Sequence, residues 1–204
     1  MFKFDQSFLS NEIKIIAGAD EVGRGPLAGP VVASIVILKN DIVGLNDSKK
    51  MTEKKREELY VIIKQEALAI SVVFIDEKTI DEINILNATK LAMTKCLAGL
   101  KISPDLLLID GNFAIQTDIR QQSVIKGDGK SAVIAAASII AKVERDRFMQ
   151  QMHAKYPEYG FDSHKGYGSQ THLEAIKKYG PCAIHRKTFR PVSDFFSKQM
   201  EFGL

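Results

Sequence analysis

Four carboxylates at three places in the chain could act together on one substrate: Asp20 with Glu21, Asp110, and Asp128. Each follows an apolar, β-branched run, so each stands where a strand is expected to end. In an open α/β sheet, sites gather beyond the carboxyl ends of neighbouring strands, and these acids meet if their strands are neighbours. Clustered carboxylates repel and raise one another's pKa unless a cation neutralises them. Hard oxygen donors of this kind suit Mg2+ or Mn2+. Two such ions about 4 Å apart are a recurrent device for phosphodiester hydrolysis, one activating water and the other stabilising the leaving oxygen. Taken singly, each acid also has an ordinary role. Asp110-Gly111 reads as a turn, and Asp128 could help cap a helix that begins near Ser131. Adjacent strand residues point to opposite faces, so Asp20 and Glu21 share a site if the chain turns there, as Gly23 and Gly25 permit.

The elements that must position these acids alternate along the chain. Strands are expected over residues 13–19, 31–38, 69–75 and 106–110, with a short fifth over 123–125 ended by Gly127-Asp128-Gly129. Thr52 is an expected N-cap for a helix to about Gln65, and a second helix is expected from 80 to about 100. A long helix from 131 to about 155 begins AVIAAASIIA, apolar nearly all round, and should be buried. An irregular loop follows, then a helix near 170–178 and a short terminal helix from Asp194. The sum is an α/β domain with a mixed sheet, expected as a catalytic domain over 1–180 and a small helical extension over 181–204 packed on it.

With 204 residues, 45% of them hydrophobic and 26% charged, the chain has the balance of one globular domain rather than a disordered or disulfide-stapled one. Two cysteines, Cys96 and Cys182, are too few for a disulfide framework or a four-cysteine zinc site. No apolar run approaches a membrane span, and charges interrupt the first twenty residues where a signal peptide needs an apolar stretch. A cytoplasmic protein without a membrane partner, monomeric in solution, is expected. The formal charge of +3 is a mild basic excess. It is concentrated between Lys142 and Pro191, where ten Lys and Arg face five Asp and Glu and all four histidines fall. A cationic stretch of that kind is either a solvated face or a phosphate-binding one.

Other motifs fail on their context. Gly23-Arg24-Gly25-Pro26-Leu27-Ala28 satisfies the dinucleotide fingerprint, but a strand follows it where a helix is needed. Gly129-Lys130-Ser131 ends like a phosphate-binding Walker loop, whose first glycine would have to be Val124. No GxSxG elbow exists for a serine hydrolase. Cys182 and His185 have a CxxH spacing without a second pair to complete a zinc site. His153 and His172 fall in polar helical contexts and are expected to be solvated.

The segments Ala19-Asp20-Glu21-Val22-Gly23-Arg24-Gly25-Pro26-Leu27-Ala28-Gly29-Pro30, Asn46-Asp47-Ser48-Lys49-Lys50-Met51 and Ile109-Asp110-Gly111 occur in that order. Lys126-Gly127-Asp128, then the run AAASIIAKVERD from Ala135, His164-Lys165-Gly166-Tyr167-Gly168 and His185-Arg186-Lys187-Thr188-Phe189 continue it. From residue 15 to about 195 the chain resembles type 2 ribonuclease H, the bacterial ribonuclease HII. The resemblance implies the ribonuclease H fold, a five-stranded mixed sheet flanked by helices with a C-terminal helical element. It implies endonucleolytic cleavage of RNA paired to DNA, including a single ribonucleotide in duplex DNA, leaving a 3′-hydroxyl and a 5′-phosphate. By that similarity Asp20, Glu21, Asp110 and Asp128 hold two divalent ions, Mn2+ or Mg2+. Gly23, Arg24 and Gly25 correspond to the loop that senses the ribose 2′-hydroxyl, and Tyr167 to the tyrosine packed against the sugar at the RNA-to-DNA junction. Lys49, Ser138 and Lys142 correspond to phosphate contacts.

Elementary chemistry fits those roles. The 2′-hydroxyl distinguishes RNA from DNA at one nucleotide, and it both donates and accepts. Glycines let the backbone approach it closely. Two neighbouring readings stay open: a silent hybrid-binding protein of the same fold, against which the four intact acids argue, and the sibling ribonuclease HIII. That sibling carries an extra N-terminal domain, for which nineteen residues before Asp20 leave no room.

Overall fold

A computed structural model describes residues 1–201. One sheet of five strands organises the chain, in the order β3-β2-β1-β4-β5. Strands β1 (Ile16–Val22), β2 (Val31–Leu38) and β3 (Ala67–Ile75) form an antiparallel meander. Strands β4 (Leu106–Asp110) and β5 (Arg120–Val124) extend it in parallel from the β1 edge, with Ala19 opposite Ile109 and Asp110 opposite Val124. The carboxyl ends of β1, β4 and β5 therefore lie side by side. This is the condition the four acids require.

Both faces of the sheet are covered. Leu106 and Leu108 face a core shared with Leu59 and Ile63 of α2 (Glu53–Glu66) and the first half of α5 (Ala132–Lys155). Leu107 and Ile109 face the opposite core, with Ile80 of α3 (Glu77–Ile83) and Ala88, Ala92, Met93 and Cys96 of α4 (Ile85–Ala98). That is the period-two alternation of a strand buried on both sides. The apolar start of α5 is buried as expected, and Gly18 of β1 lies so close to the Val133 backbone that no β-carbon would fit.

Several elements differ from expectation. The stretch from 80 to 100 is not one helix. Asn84, at φ 66°, ends α3 and caps α4, its side chain accepting from the amides of Leu86 (3.0 Å) and Asn87 (3.1 Å). Strand β5 starts at Arg120 rather than Ser123, because its Arg-Gln-Gln-Ser face is half-exposed and carries no apolar signal, and Ile125 falls outside it. Strand β1 starts at Ile16 rather than residue 13. A short helix α1 (Phe2–Gln6) precedes it, and a single helical turn α6 (Phe161–His164) interrupts the expected loop. Thr52 caps α2 as expected, its side chain accepting from the third amide of the helix, and Ser131 (rather than Asp128) and Ser169 do the same for α5 and for the helix that begins at Gln170.

Beyond α5, helices α7 (Gln170–Tyr179) and α8 (Val192–Glu201) pack around a third apolar cluster. Its members include Leu27, Ala28, Met149, Tyr159, Phe161, Ile184 and Val192, so Ile184 and Val192 share a core with Leu27 and Ala28 of the β1–β2 loop. The last part of the expected 181–204 extension, residues 202–204, lies outside the described residues. No helix among the described residues is long and apolar enough to cross a membrane.

Candidate active site

The four acids meet. Asp20 and Glu21 close β1, Asp110 closes the adjacent β4, and Asp128 sits in the 3-10 turn Gly127–Gly129 that links β5 to α5. Asp110 Oδ1 accepts from the Gly127 amide at 2.6 Å, tying the end of β4 to the turn that carries Asp128. The expected turn between Asp20 and Glu21 is not made. Both stay in register with β2, opposite Ser34 and Ala33, and the chain leaves the sheet at Gly23, at φ 92°. They nevertheless feel one another, because at the end of the sheet the glutamate's length carries its carboxylate to Arg24 Nη1 (3.3 Å) and within range of Asp110.

Electrostatics show how close this grouping is. Burial raises the Asp20 carboxyl well above the usual range, and the charges of Glu21 and Asp110 add to it, against the opposing Ser138 hydroxyl and Glu21 amide. Glu21 is raised by burial and by Asp110, with Arg24 and Lys49 opposing. Asp128 is raised by burial and Asp110, with Lys49 opposing. The Lys49 ammonium stands among them, 3.7 Å from Asp128 Oδ2. Burial alone would lower its pKa, but Asp128, Asp20, Asp110 and Asp47 together hold it above the ordinary lysine value.

These features fit a divalent cation. The donors are all carboxylate oxygens, Glu21 Oε2 is buried without a hydrogen-bond partner, and a side-chain ammonium already sits in the negative field. Among the described residues no three His, Cys, Asp or Glu side chains are drawn together to coordinating geometry. Lys49 pairs with Asp128 and Arg24 with Glu21, so each cation offsets part of the repulsion within the group.

Of the residues expected to contact substrate, the 23–25 loop and Tyr167 lie together. Arg24 is exposed, and a β-carbon on Gly25 would lie 3.8 Å from Tyr167 Cε1, so the 23–25 loop and the half-exposed Tyr167 ring are neighbours. Ser138 and Lys142 sit deeper. Ser138 is buried with its hydroxyl 2.8 Å from that of Ser48, and it acts on Asp20, while Lys142 Nζ is 2.7 Å from Asp146 Oδ1.

Sequence reasoning missed two arginines that hold this loop. Arg186, fully buried, donates to the carbonyls of Gly23, Arg24 and Gly29. Arg145, equally buried, donates to Pro30 (3.0 Å), Ala28 (3.1 Å) and Lys165 (2.9 Å), joining the loop to the segment that carries Tyr167. Burial lowers them to about 9 and about 10 respectively, and the charge of Arg145 adds to the shift at Arg186. A guanidinium fork suits this task, with several fixed donors for carbonyls that a curved loop cannot pair within itself. His172 was also misjudged. It is fully buried, stacked on His164 at 4.5 Å between ring centroids, with Nε2 3.0 Å from Nε2 of His185 and Nδ1 2.9 Å from the Tyr167 carbonyl.

Residues 17–192, which include all of these groups, match the family model of ribonuclease HII. The chain belongs to the ribonuclease HII family. A ribonuclease HII of Endomicrobium trichonymphae is 53% identical over 201 residues, covering 97% of this chain and 96% of the relative. The solved ribonuclease H2 from Pyrococcus horikoshii OT3 superposes with a TM-score of 0.77 at 27% identity, over 92% of this chain and all of that one. The Bst ribonuclease HIII solved in complex with Mn2+ shares the fold, with a TM-score of 0.65 at 17% identity over 92% of this chain and 70% of its own. The expected ribonuclease H fold and enzyme class, a metal-dependent endoribonuclease of the ribonuclease H type, are borne out.

Proposed function

We propose that this chain hydrolyses the RNA strand of RNA–DNA hybrids, and single ribonucleotides embedded in duplex DNA, with Asp20, Glu21, Asp110 and Asp128 holding two divalent ions, Mn2+ or Mg2+. The observation that carries this reading is the meeting of all four carboxylates around one ammonium at the ends of three adjacent strands. When bound, the ions supply an activated water and stabilise the leaving oxygen. The water oxygen bonds to phosphorus as the bond to O3′ breaks, and O3′ takes up a proton, giving a 3′-hydroxyl and a 5′-phosphate.

The chain's own residues orient the substrate. Backbone groups of Gly23, Arg24 and Gly25 meet the ribose 2′-hydroxyl, and the Tyr167 ring, next to Gly25, packs on the adjoining sugar. Lys49, Lys142 and the Arg24 side chain take the flanking phosphates, which fixes position without reading sequence. Ser138 serves through Asp20, which it helps to keep ionised. The 181–204 extension acts as a brace for the 1–180 catalytic part, since Arg186 spans from one to the other.

Asp110→Asn tests the reading. It keeps the shape and the acceptor for Gly127 but removes one charge from the group, so hybrid binding is expected to persist while cleavage is lost. Cleavage at the wild-type rate would overturn the assignment.

A further inference from the structure

The expectations above leave residues 1–12 without a role, yet they hold one of the most deeply buried carboxylates in the chain. Asp5, in α1, is 4% exposed. Its Oδ2 accepts from the backbone amides of Ala132 (2.8 Å) and Val133 (3.1 Å), the first two residues of α5. The third amide, Ile134, is taken by Ser131 Oγ at 3.3 Å, and the amide of the cap residue Ser131 itself by the Gly127 carbonyl at 2.8 Å. All four free donors of the helix start are thus satisfied from within the chain, two by a residue some 127 positions away. No donor remains there for a substrate phosphate.

This cap lies one short link from the acids. The Ser131 amide donates to the Gly127 carbonyl at 2.8 Å, and the Lys130 amide to the same oxygen at 2.9 Å. Those two bonds close the turn that carries Asp128, whose other side is tied to Asp110 through the Gly127 amide. The first turn of α5 is gripped from two directions. Gly18 of β1 lies against the Val133–Ile134 peptide from the sheet, and Asp5 holds the preceding amides, Ala132 and Val133, from α1. The α1 segment is itself anchored, with Met1, Phe2, Phe4 and Phe8 packed on the core below α5.

We propose that Asp5 is a positioning residue for the metal site: by fixing the first turn of α5 it sets where Asp128 stands relative to Asp110, and so how tightly the acids hold a divalent ion. The inference rests on the metal-binding reading of the four acids. An aspartate that served stability alone could be removed with a loss of melting temperature and no change in ion affinity. One that positions Asp128 cannot, because outer partners of metal ligands typically carry 10- to 100-fold in affinity.

The test is Mn2+ binding to the full chain without nucleic acid, followed by electron paramagnetic resonance of the free ion, for wild type, Asp5→Ala, Asp5→Asn and Asp5→Glu. Ile80→Val, a buried change on the opposite face of the sheet, serves as a stability comparator. Asp5→Ala is expected to weaken Mn2+ binding by roughly ten-fold. Asp5→Asn, whose side-chain oxygen still accepts from both amides, should recover most of it. Asp5→Glu, which displaces the carboxylate by one methylene, should again be weaker, and it decides the matter if the alanine variant does not fold. Ile80→Val should bind as wild type does. Wild-type affinity in Asp5→Ala or Asp5→Glu, or an equal loss in Ile80→Val, would overturn the positioning role while leaving the metal site standing. A wild-type chain that binds no Mn2+ would overturn both.

Discussion

Lys49 Nζ stands 3.7 Å from Asp128 Oδ2, an ammonium set among four carboxylates contributed by β1, β4 and the turn after β5. The pairing has two consequences that pull in opposite directions. Lys49 relieves the repulsion between the acids, and it also competes with a divalent ion for them. Its side chain is 81% exposed, so it is free to swing toward a phosphate once ions take over the neutralising role.

Lys49→Met should therefore tighten Mn2+ binding by a few-fold while lowering kcat/KM on a hybrid by about ten-fold or more, the loss expected when a charge-assisted contact disappears. Ion titration and steady-state kinetics on the same preparation check both arms. Weaker ion binding in the variant would mean that Lys49 supports the ion site rather than competing with it.

Asp20 is buried beside Glu21 and Asp110, so in metal-free protein its charge works against folding. Asp20→Asn should raise the melting temperature in chelator by about 2–4 °C per kcal/mol of repulsion removed, and should abolish cleavage. Differential scanning calorimetry with EDTA measures the first effect. An unchanged or lower melting temperature would mean that the acids are not strained in the absence of ions.

The pair His172–His185 should make the chain sensitive to acid. Burial lowers both imidazoles to about 4, with His164 as a further cause at both and His172 at His185, while the unfolded chain titrates near 6.5. A folded pKa below the unfolded one means that the unfolded state binds more protons, so stability is full above pH 6.5 and falls as pH drops toward 4. The groups that face the pair are His164, Cys182, Tyr159 and Phe161, none of them an acid that would favour the charged ring. The expected loss is on the order of 2 kcal/mol for each ring. Thermal unfolding between pH 7 and 4, with imidazole shifts followed by NMR, checks it. Rings that titrate at pH 6.5 in the folded protein would contradict it.

Arg186 offers a test of the ribose-sensing loop. Arg186→Lys keeps the charge but cannot reach the carbonyls of Gly23, Arg24 and Gly29 at once. It should cost about 3 kcal/mol of stability and lower kcat/KM on a single-ribonucleotide duplex well beyond any change in Mn2+ affinity. Chemical denaturation, kinetics and ion titration separate the three. Unaltered kinetics would show that the loop holds its shape without the guanidinium.

How much of this was readable from residues alone follows from where each interaction lies. Val31–Leu38 and Leu106–Asp110 are continuous apolar runs buried on both faces, and their limits were legible to the residue. The four acids were legible because each ends such a run or follows one closely. Asn84 was not, since an asparagine inside a helical pattern becomes a break only when its backbone takes a positive φ. Strand β5 was partly hidden because its faces are polar. Asp5, Arg145, Arg186 and His172 act across the fold on backbone atoms or other rings. No local spacing records such partners, and in a helix or loop each has the pattern of a solvated side chain.

The most direct measurement maps the cut on an end-labelled DNA duplex containing one ribonucleotide, with Mn2+ or Mg2+ and with EDTA. The account predicts a nick at the ribonucleotide with a 3′-hydroxyl and a 5′-phosphate, dependent on the ion and absent from the all-DNA duplex and from Asp110→Asn. Cleavage that persists in EDTA, or ends that carry a 2′,3′-cyclic phosphate, would contradict it.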